Sequence, residues 1–366
     1  MSSSDHLDGV VGAHVLVFPY PAAGHIIPIL DFVQLLVKHG LNVTVLVTPS
    51  QLPLLDPILP SIQTLVLSPP DLTSTVPRPV LTTLALSHLS NPIIQWFRSH
   101  PSPPVAIISD MFLGWTQELA RDLGVPRVVF WTTGAFGASV SGCLWRDLPT
   151  IDDSEDENST ISIPTLPNSP TYNWWQLSHV YCGFKKGDPD WEFFRNSSLA
   201  NFRSWGSVLN SFTELERVYI DHMKKEMGHD RVWAVGPLLA SDDDVADSTK
   251  RGGYSSQQFH EVMSWLDSKE EESVVSICFG SRCTITTNQA VALAAAIERS
   301  RVNFIWVVKE KEMITFPDGF ESHVEGKGFI LRGWAPQVAI LSHRAVGAFV
   351  SHCGWNSTLE AIMPGC

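Results

Sequence analysis

Residues 13–18, AHVLVF, form an apolar run interrupted only by His14, and the PYPAAG that follows reads as a turn. HIIPILDFVQLLVKHG is apolar nearly all round and ends on Gly40, a pattern that predicts a buried helix with a glycine stop. LNVTVLVT then predicts a strand. Strand, helix and strand in this order make a β-α-β unit, the seed of a parallel sheet. The alternation continues with a strand at VAIIS (105–109), a helix over 112–123 stopped by Gly124, strands at RVVFWT (127–132) and SVLNS (207–211), and a helix at TELERVYIDHMKKEM. The Pro-rich stretches 69–80 and 101–104 and the acidic DDSEDENST (152–160) predict loops or partly disordered segments.

After the strand-like VWAVGPLL comes ASDDDVADSTKRGGYSS (240–256), charged and without hydrophobic period, which reads as a linker between domains 1–239 and 257–366. A second β/α series follows: SVVSICF (273–279), the helix TNQAVALAAAIERS, NFIWVV, GFILR, a short helix around PQVAILSH, AVGAFVS, and a last helix from about Asn356 or Ser357. The expected architecture is α/β, two successive Rossmann-like domains with a cleft between them and ligands at the carboxyl ends of the strands.

Composition narrows the function classes. The 366 residues carry 25 Lys and Arg against 38 Asp and Glu, a net charge of −13, with no basic cluster. An acidic surface repels polyphosphate backbones and anionic lipid, so neither nucleic acid nor a membrane surface is an expected partner. No apolar run reaches the length a bilayer requires, and the first ten residues contain no basic residue of the kind that opens a secretory signal. The six cysteines have neither disulfide-scaffold nor zinc-site spacing and read as reduced thiols of a cytoplasmic protein. Four glycosylation-type triplets, at Asn42, Asn158, Asn196 and Asn356, are read as chance occurrences. The first strand is not followed by G-x-G-x-x-G, and neither a P-loop nor G-x-S-x-G occurs, which counts against dinucleotide, phosphotransferase and hydrolase signatures.

The chemistry concentrates where AVGAFVS runs into His352, Cys353, Gly354 and Trp355. A helix N-terminus there offers backbone N–H groups and the positive end of the macrodipole to a phosphate. Gly354 allows close approach, Asn356 and Ser357 cap or donate, His352 adds a donor, and Glu360, one turn on, is placed to accept from a sugar diol. The plain alternative is an ordinarily capped helix with a core histidine. WAPQ begins 18 residues before His352, and its Trp334 is of a type that stacks a flat base.

W-A-P-Q, then S-H-C-G-W-N-S, then Glu360 resembles the signature box of the plant secondary-product UDP-glycosyltransferases, and the resemblance extends to FPYPAAGHIIP near the start and to CFGS after the linker. It implies the GT-B fold of two facing Rossmann-like domains. It implies that Trp334 stacks the uracil with Ala335 and Gln337 beside it, that Glu360 binds the ribose, and that His352, Asn356 and Ser357, with Ser281, hold the diphosphate. It assigns no resident cofactor and no metal, UDP-sugar being a co-substrate. Asp242, Asp243 and Asp244, in the linker, read as a solvated charge run. In the first domain the resemblance makes His25, in the G-H turn, the general base for an acceptor hydroxyl and Asp110 the residue that orients it. Thr132 matches a position that touches the donor sugar.

The implied activity is inverting transfer of a hexose, glucose first, to a small phenolic such as a flavonoid or hydroxybenzoate, by a monomer. The aromatic-rich part of the first domain, including Phe112, Phe136, Trp145 and Trp174 or Trp175, is the expected acceptor surface. The resemblance further implies a chain that stops inside the box, with the second domain incomplete. A non-catalytic fragment that binds acceptor or protein partners without turnover is therefore the rival expectation.

Overall fold

The computed structural model describes residues 12–56, 58–151, 156, 158–238, 256–309 and 316–363. The chain divides into two compact units, Met1–Leu238 and Leu239–Cys366. Nearly all of the linker expected at 240–256 lies outside the described residues; Ser256, its last residue, opens the helix Ser256–Asp267.

The first unit is built on strands β1 (His14–Phe18), β2 (Asn42–Val47), β3 (Gln63–Val66), β4 (Ala106–Asp110) and β5 (Arg127–Trp131). A small hairpin, β6 (Thr160–Ser162) with β7 (Thr171–Asn173), precedes β8 (Gly206–Leu209) and β9 (Val232–Ala234). The main sheet runs in the order β3-β2-β1-β4-β5-β8-β9, with every neighbouring pair parallel. All five residues of β1 are buried, because helices cover both faces. Val15 and Val17 pack with the helix Ala23–Lys38, whereas Leu16 and Phe18 pack with Leu86, Ile93 and Leu119 on the other face. A strand covered on both sides reads as a continuous apolar run rather than an alternation. His14 is tolerated inside it because its ring bonds Thr44 Oγ1 at 2.8 Å and the Ser102 carbonyl at 2.6 Å.

The second unit repeats the plan in smaller form. Strands β10 (Val274–Cys278), β11 (Asn303–Val308), β12 (Gly328–Arg332) and β13 (Val346–Ser351) form an all-parallel sheet in the order β12-β11-β10-β13. Val262, Leu266 and Ile340 cover one face, and Ala290, Ala294, Ile297 and Phe320 the other.

Several boundaries differ from expectation for local reasons. The helix expected over 112–123 is a 3-10 turn, Met111–Leu113, followed by the helix Thr116–Leu123, because the Asp110 side chain caps the turn through the Phe112 N–H. The loop expected over 69–80 ends early: Pro79 sits at the start of the helix Arg78–Ser87, where its missing N–H costs nothing. Most of the loop expected over 152–160 lies outside the described residues, and Thr160 already belongs to β6.

A buried carboxylate organises the end of β5. Glu216, only 5% exposed, interrupts the helix Thr213–Met227 with φ −130° and ψ 21°. Its oxygens accept from the N–H groups of Ala135 and Phe136, each at 2.8 Å, and from the Ser211 hydroxyl at 2.5 Å. It thereby caps the helix Ala135–Asp147, whose N-cap, Gly134, has no side chain to do so. A Cβ on Gly134 would lie 2.4 and 2.5 Å from the two oxygens, so the cap and the glycine require each other. Gly134→Ala is expected to cost about 2 kcal/mol by overpacking, and Glu216→Ala about 3 kcal/mol by orphaning buried donors. Urea denaturation followed by the fluorescence of the first unit checks both, and an unchanged midpoint would contradict the cap.

Candidate functional site

In each sheet the strand order reverses beside the first strand, between β1 and β4 in one unit and between β10 and β13 in the other. At such a point the connections leave in opposite directions and open a crevice at the carboxyl edge. The predicted site residues sit at these edges.

In the first unit, Phe18 pairs with Ser109, so the segments that follow β1 and β4 emerge side by side. His25 lies in the first turn of the helix Ala23–Lys38, and Asp110 is the last residue of β4. His25 Nδ1 is 2.9 Å from Asp110 Oδ2. Asp110 has no exposed surface, and its other oxygen accepts from the Phe112 N–H at 2.8 Å. A carboxylate so placed only accepts, which puts the imidazole proton on Nδ1 and leaves the Nε2 lone pair available. Thr132 Oγ1, just past β5, lies 3.2 Å from the same Nδ1 and is a second acceptor for that proton. Thr132 thus joins the histidine directly.

The His25 ring lies between aromatic neighbours, with Phe112 at 4.8 Å and Tyr20 at 5.1 Å between centroids, and these two meet edge to face at 5.0 Å. Of the expected acceptor aromatics, only Phe112 stands against the histidine. Phe136 packs on Tyr219 and Trp174 on Tyr181. Trp145 is core, 6% exposed among Tyr181, Phe184 and Phe194, because it faces inward from the helix Ala135–Asp147. Trp175 is 66% exposed. Tyr20 was not singled out from the sequence, although it lies in the quoted FPYPAAG turn.

In the second unit the last described helix is Trp355–Ile362, with Gly354 as N-cap, so it begins one or two residues earlier than expected. The tight turn is made at Cys353, φ 53°, rather than at Gly354, whose φ is −61°. Gly354 matters for space instead: a Cβ there would lie 2.3 Å from His352 Nε2, and one on Gly280 would lie 2.5 Å from His352 Cε1. The imidazole is therefore held between two glycine backbones, one after β13 and one after β10. Gly280 also has φ +70°, so any other residue there meets both strain and a clash. This packing has a sequence signal in the CFGS that resembles the family, but nothing in that motif names His352 as the neighbour.

Gln337 Nε2 donates to Glu360 Oε2 at 2.7 Å and to Ser357 Oγ at 3.1 Å, joining the WAPQ segment to the last helix. Glu360 and Ser357 are 6% and 7% exposed. Gln337 therefore holds the Glu360 carboxylate. Trp334 is 37% exposed, and no aromatic ring stacks on it among the described residues. Ala335 packs on the Val262 and Ile340 cluster, Ser281 is exposed in the turn after β10, and Trp355 and Asn356 open the helix.

His352 keeps an exposed surface, yet partial desolvation beside the two glycines pulls its imidazole below its usual range, and the positive charge of Lys309 adds to this. The Cys278 thiol is pushed up, first by burial and then by the Glu360 carboxylate. Among the described residues no group of three or more His, Cys, Asp or Glu is arranged to hold a metal ion, and Asp242, Asp243 and Asp244 lie outside them. No described helix is long and apolar enough to cross a membrane.

Residues 236–366 match the family model described as "UDP-glucoronosyl and UDP-glucosyl transferase". Over 375 aligned residues the chain is 47% identical to UDP-glycosyltransferase 89B2 of Stevia rebaudiana, covering 96% of this chain and 78% of that protein. It is also 47% identical to flavonol 3-O-glucosyltransferase UGT89B1 of Arabidopsis thaliana, covering 96% of this chain and 77% of the relative. The crystal structure of Arabidopsis thaliana UGT89C1 complexed with UDP-L-rhamnose superposes with a TM-score of 0.75 at 33% identity, covering 97% of this chain and 78% of that one. The two parallel-sheet α/β units are those of the GT-B fold, and the chain belongs to the plant family 1 UDP-glycosyltransferases, enzymes that transfer a glycosyl group from a UDP-sugar.

Proposed function

We propose that this chain is an inverting O-glucosyltransferase that moves glucose from UDP-glucose to a hydroxyl of a small phenolic, with a flavonol as the first candidate acceptor. The observation that carries the reading is the His25–Asp110 pair, a buried carboxylate on Nδ1 that leaves Nε2 as a base at a sheet edge. The sugar and acceptor are supported by the resemblance to a flavonol 3-O-glucosyltransferase. Phe112, partly exposed and against His25, offers a flat phenol an aromatic surface next to that base, and buried Tyr20 packs edge to face behind it.

In this scheme His25 Nε2 takes the acceptor proton as the hydroxyl oxygen bonds to the anomeric carbon. The bond from that carbon to the UDP oxygen breaks from the opposite side, and its electron pair leaves with UDP. A single displacement inverts the anomeric centre. Asp110 stabilises the imidazolium that forms and fixes its tautomer. Trp334 stacks the uracil with Ala335 beside it, and Glu360, held by Gln337, takes the ribose hydroxyls. The backbone of Gly354 and Trp355 at the helix start, with His352, Asn356, Ser357 and Ser281, receives the diphosphate, where negative charge grows as the bond breaks. The reaction is assigned to the cytosol, a setting supported by Cys143, Cys182, Cys278, Cys283 and Cys353 being free thiols.

His25→Ala is expected to lower transfer to a flavonol by about 10²–10⁴-fold, while calorimetric affinity for UDP stays within about twofold of wild type. Near-normal turnover in this variant would remove the base assignment. A second expectation concerns pH. Because the free His352 imidazole lies below its usual range and, in this scheme, faces a diphosphate, bound anion favours its protonated form. Affinity for UDP-glucose should therefore rise as pH falls from about 8 to about 6, and His352→Gln should abolish that slope. Calorimetry across this pH range checks it, and an identical slope in the variant would count against His352 as a diphosphate ligand.

A further inference from the structure

Beneath the His25–Asp110 pair lies a second charge that the mechanism above does not use. Arg127, the first residue of β5, is 1% exposed. Its Nε donates to Ser109 Oγ at 2.8 Å and its Nη1 to Ser204 Oγ at 2.7 Å. Its Nη2 donates to Asn201 Oδ1 at 2.9 Å and reaches the Asp110 carbonyl oxygen at 3.4 Å. Asn201 in turn donates through Nδ2 to the Met111 carbonyl at 2.7 Å. The two consecutive carbonyls of the turn that carries Asp110 are thus gripped from below, one by Arg127 and the next by Asn201.

Among the described residues no carboxylate oxygen forms an ion pair with this guanidinium; its polar partners are hydroxyls, an amide and a carbonyl. A buried cation without a paired anion is costly, and neutral side chains could tie the same loops together. Burial pulls the guanidinium down to about 9, and the Asp110 carboxylate offsets part of that cost. The charge that makes Arg127 affordable is therefore the one that holds His25.

We propose that Arg127 is a positioning residue for the His25–Asp110 pair: it fixes the turn after β4 and supplies the buried positive charge that balances the Asp110 carboxylate. The proposal rests on the reading of that pair as the catalytic base. The titratable groups that face this network are Asp110 from β4 and His25 from the helix Ala23–Lys38, while His229 touches it only through the Ser204 carbonyl at 3.1 Å. The remaining partners, Ser109, Thr116, Asn201, Ser204 and Thr132, do not titrate.

The test follows the titration of the His25 imidazole by NMR in the full chain, together with kcat where turnover with UDP-glucose and a flavonol is measured. Removing the cation in Arg127→Met should raise the His25 titration midpoint by at least about half a unit, because the Asp110 carboxylate on Nδ1 is then no longer offset by the guanidinium. Arg127→Lys, which keeps the charge, should restore the midpoint while kcat stays about tenfold low through lost alignment. If Arg127→Met does not fold, Arg127→Gln, which removes the charge and keeps a side-chain amide donor, provides the same readout. A midpoint within about 0.1 unit of wild type in whichever variant folds would overturn the proposal and leave Arg127 as structural glue. Failure of the underlying reading looks different: Asp110→Asn would then leave the His25 titration unmoved, or His25→Ala would turn over normally.

Discussion

A single hydrogen bond, 2.9 Å from His25 Nδ1 to a carboxylate with no exposed surface, sets what the first unit can do. It selects the imidazole tautomer, leaves the lone pair on Nε2 and requires the turn after β4 to be held still. Much of the surrounding structure serves that requirement. Phe112 N–H takes the second carboxylate oxygen, Thr132 adds an acceptor at Nδ1, and the Arg127 and Asn201 side chains grip the carbonyls of Asp110 and Met111. Glu216 caps the helix that begins just after Thr132, so the far side of the site is fixed through the same economy of buried polar groups.

The two units answer different chemical demands with one topology. Where the central parallel strands are buried, their carboxyl ends are left for chemistry, and the strand order reverses at β1/β4 and at β10/β13. In the first unit that edge carries the His25–Asp110 pair with Phe112 against the imidazole, the arrangement proposed above to meet a phenol hydroxyl. In the second it carries a helix start, a histidine packed against Gly280 and Gly354, and a carboxylate held by Gln337, the set proposed above to receive UDP.

The parallel-sheet plan was legible because its strands are near-continuous apolar runs separated by glycine-stopped helices. NFIWVV, GFILR and TNQAVALAAAIERS coincide with their elements residue for residue. Short or polar elements were not legible: β3, QTLV, is mostly exposed, and the helix Ser90–Ser99 buries little beyond Ile93 and Phe97. Candidate site residues carried by motifs could be named, since their neighbours lie within a few positions in the chain. Contacts made by folding could not. Arg127 lies 17 residues from Asp110 and 74 from Asn201, and a sequence shows such an arginine only as one more charged residue at the start of a strand. Trp145 and Phe112 are both aromatic, yet only packing decides that the first is core and the second stands against His25.

The central claim is that Asp110 holds His25 as a base with Nε2 unprotonated. The most direct measurement is a long-range proton–nitrogen correlation spectrum of the histidine-labelled chain at a pH where the imidazole is neutral, with the His25 signals assigned by their loss in His25→Gln. The account predicts a protonated Nδ1 and a lone-pair Nε2 for His25, with this preference lost in Asp110→Asn. A neutral His25 protonated on Nε2 in the unaltered chain would contradict it.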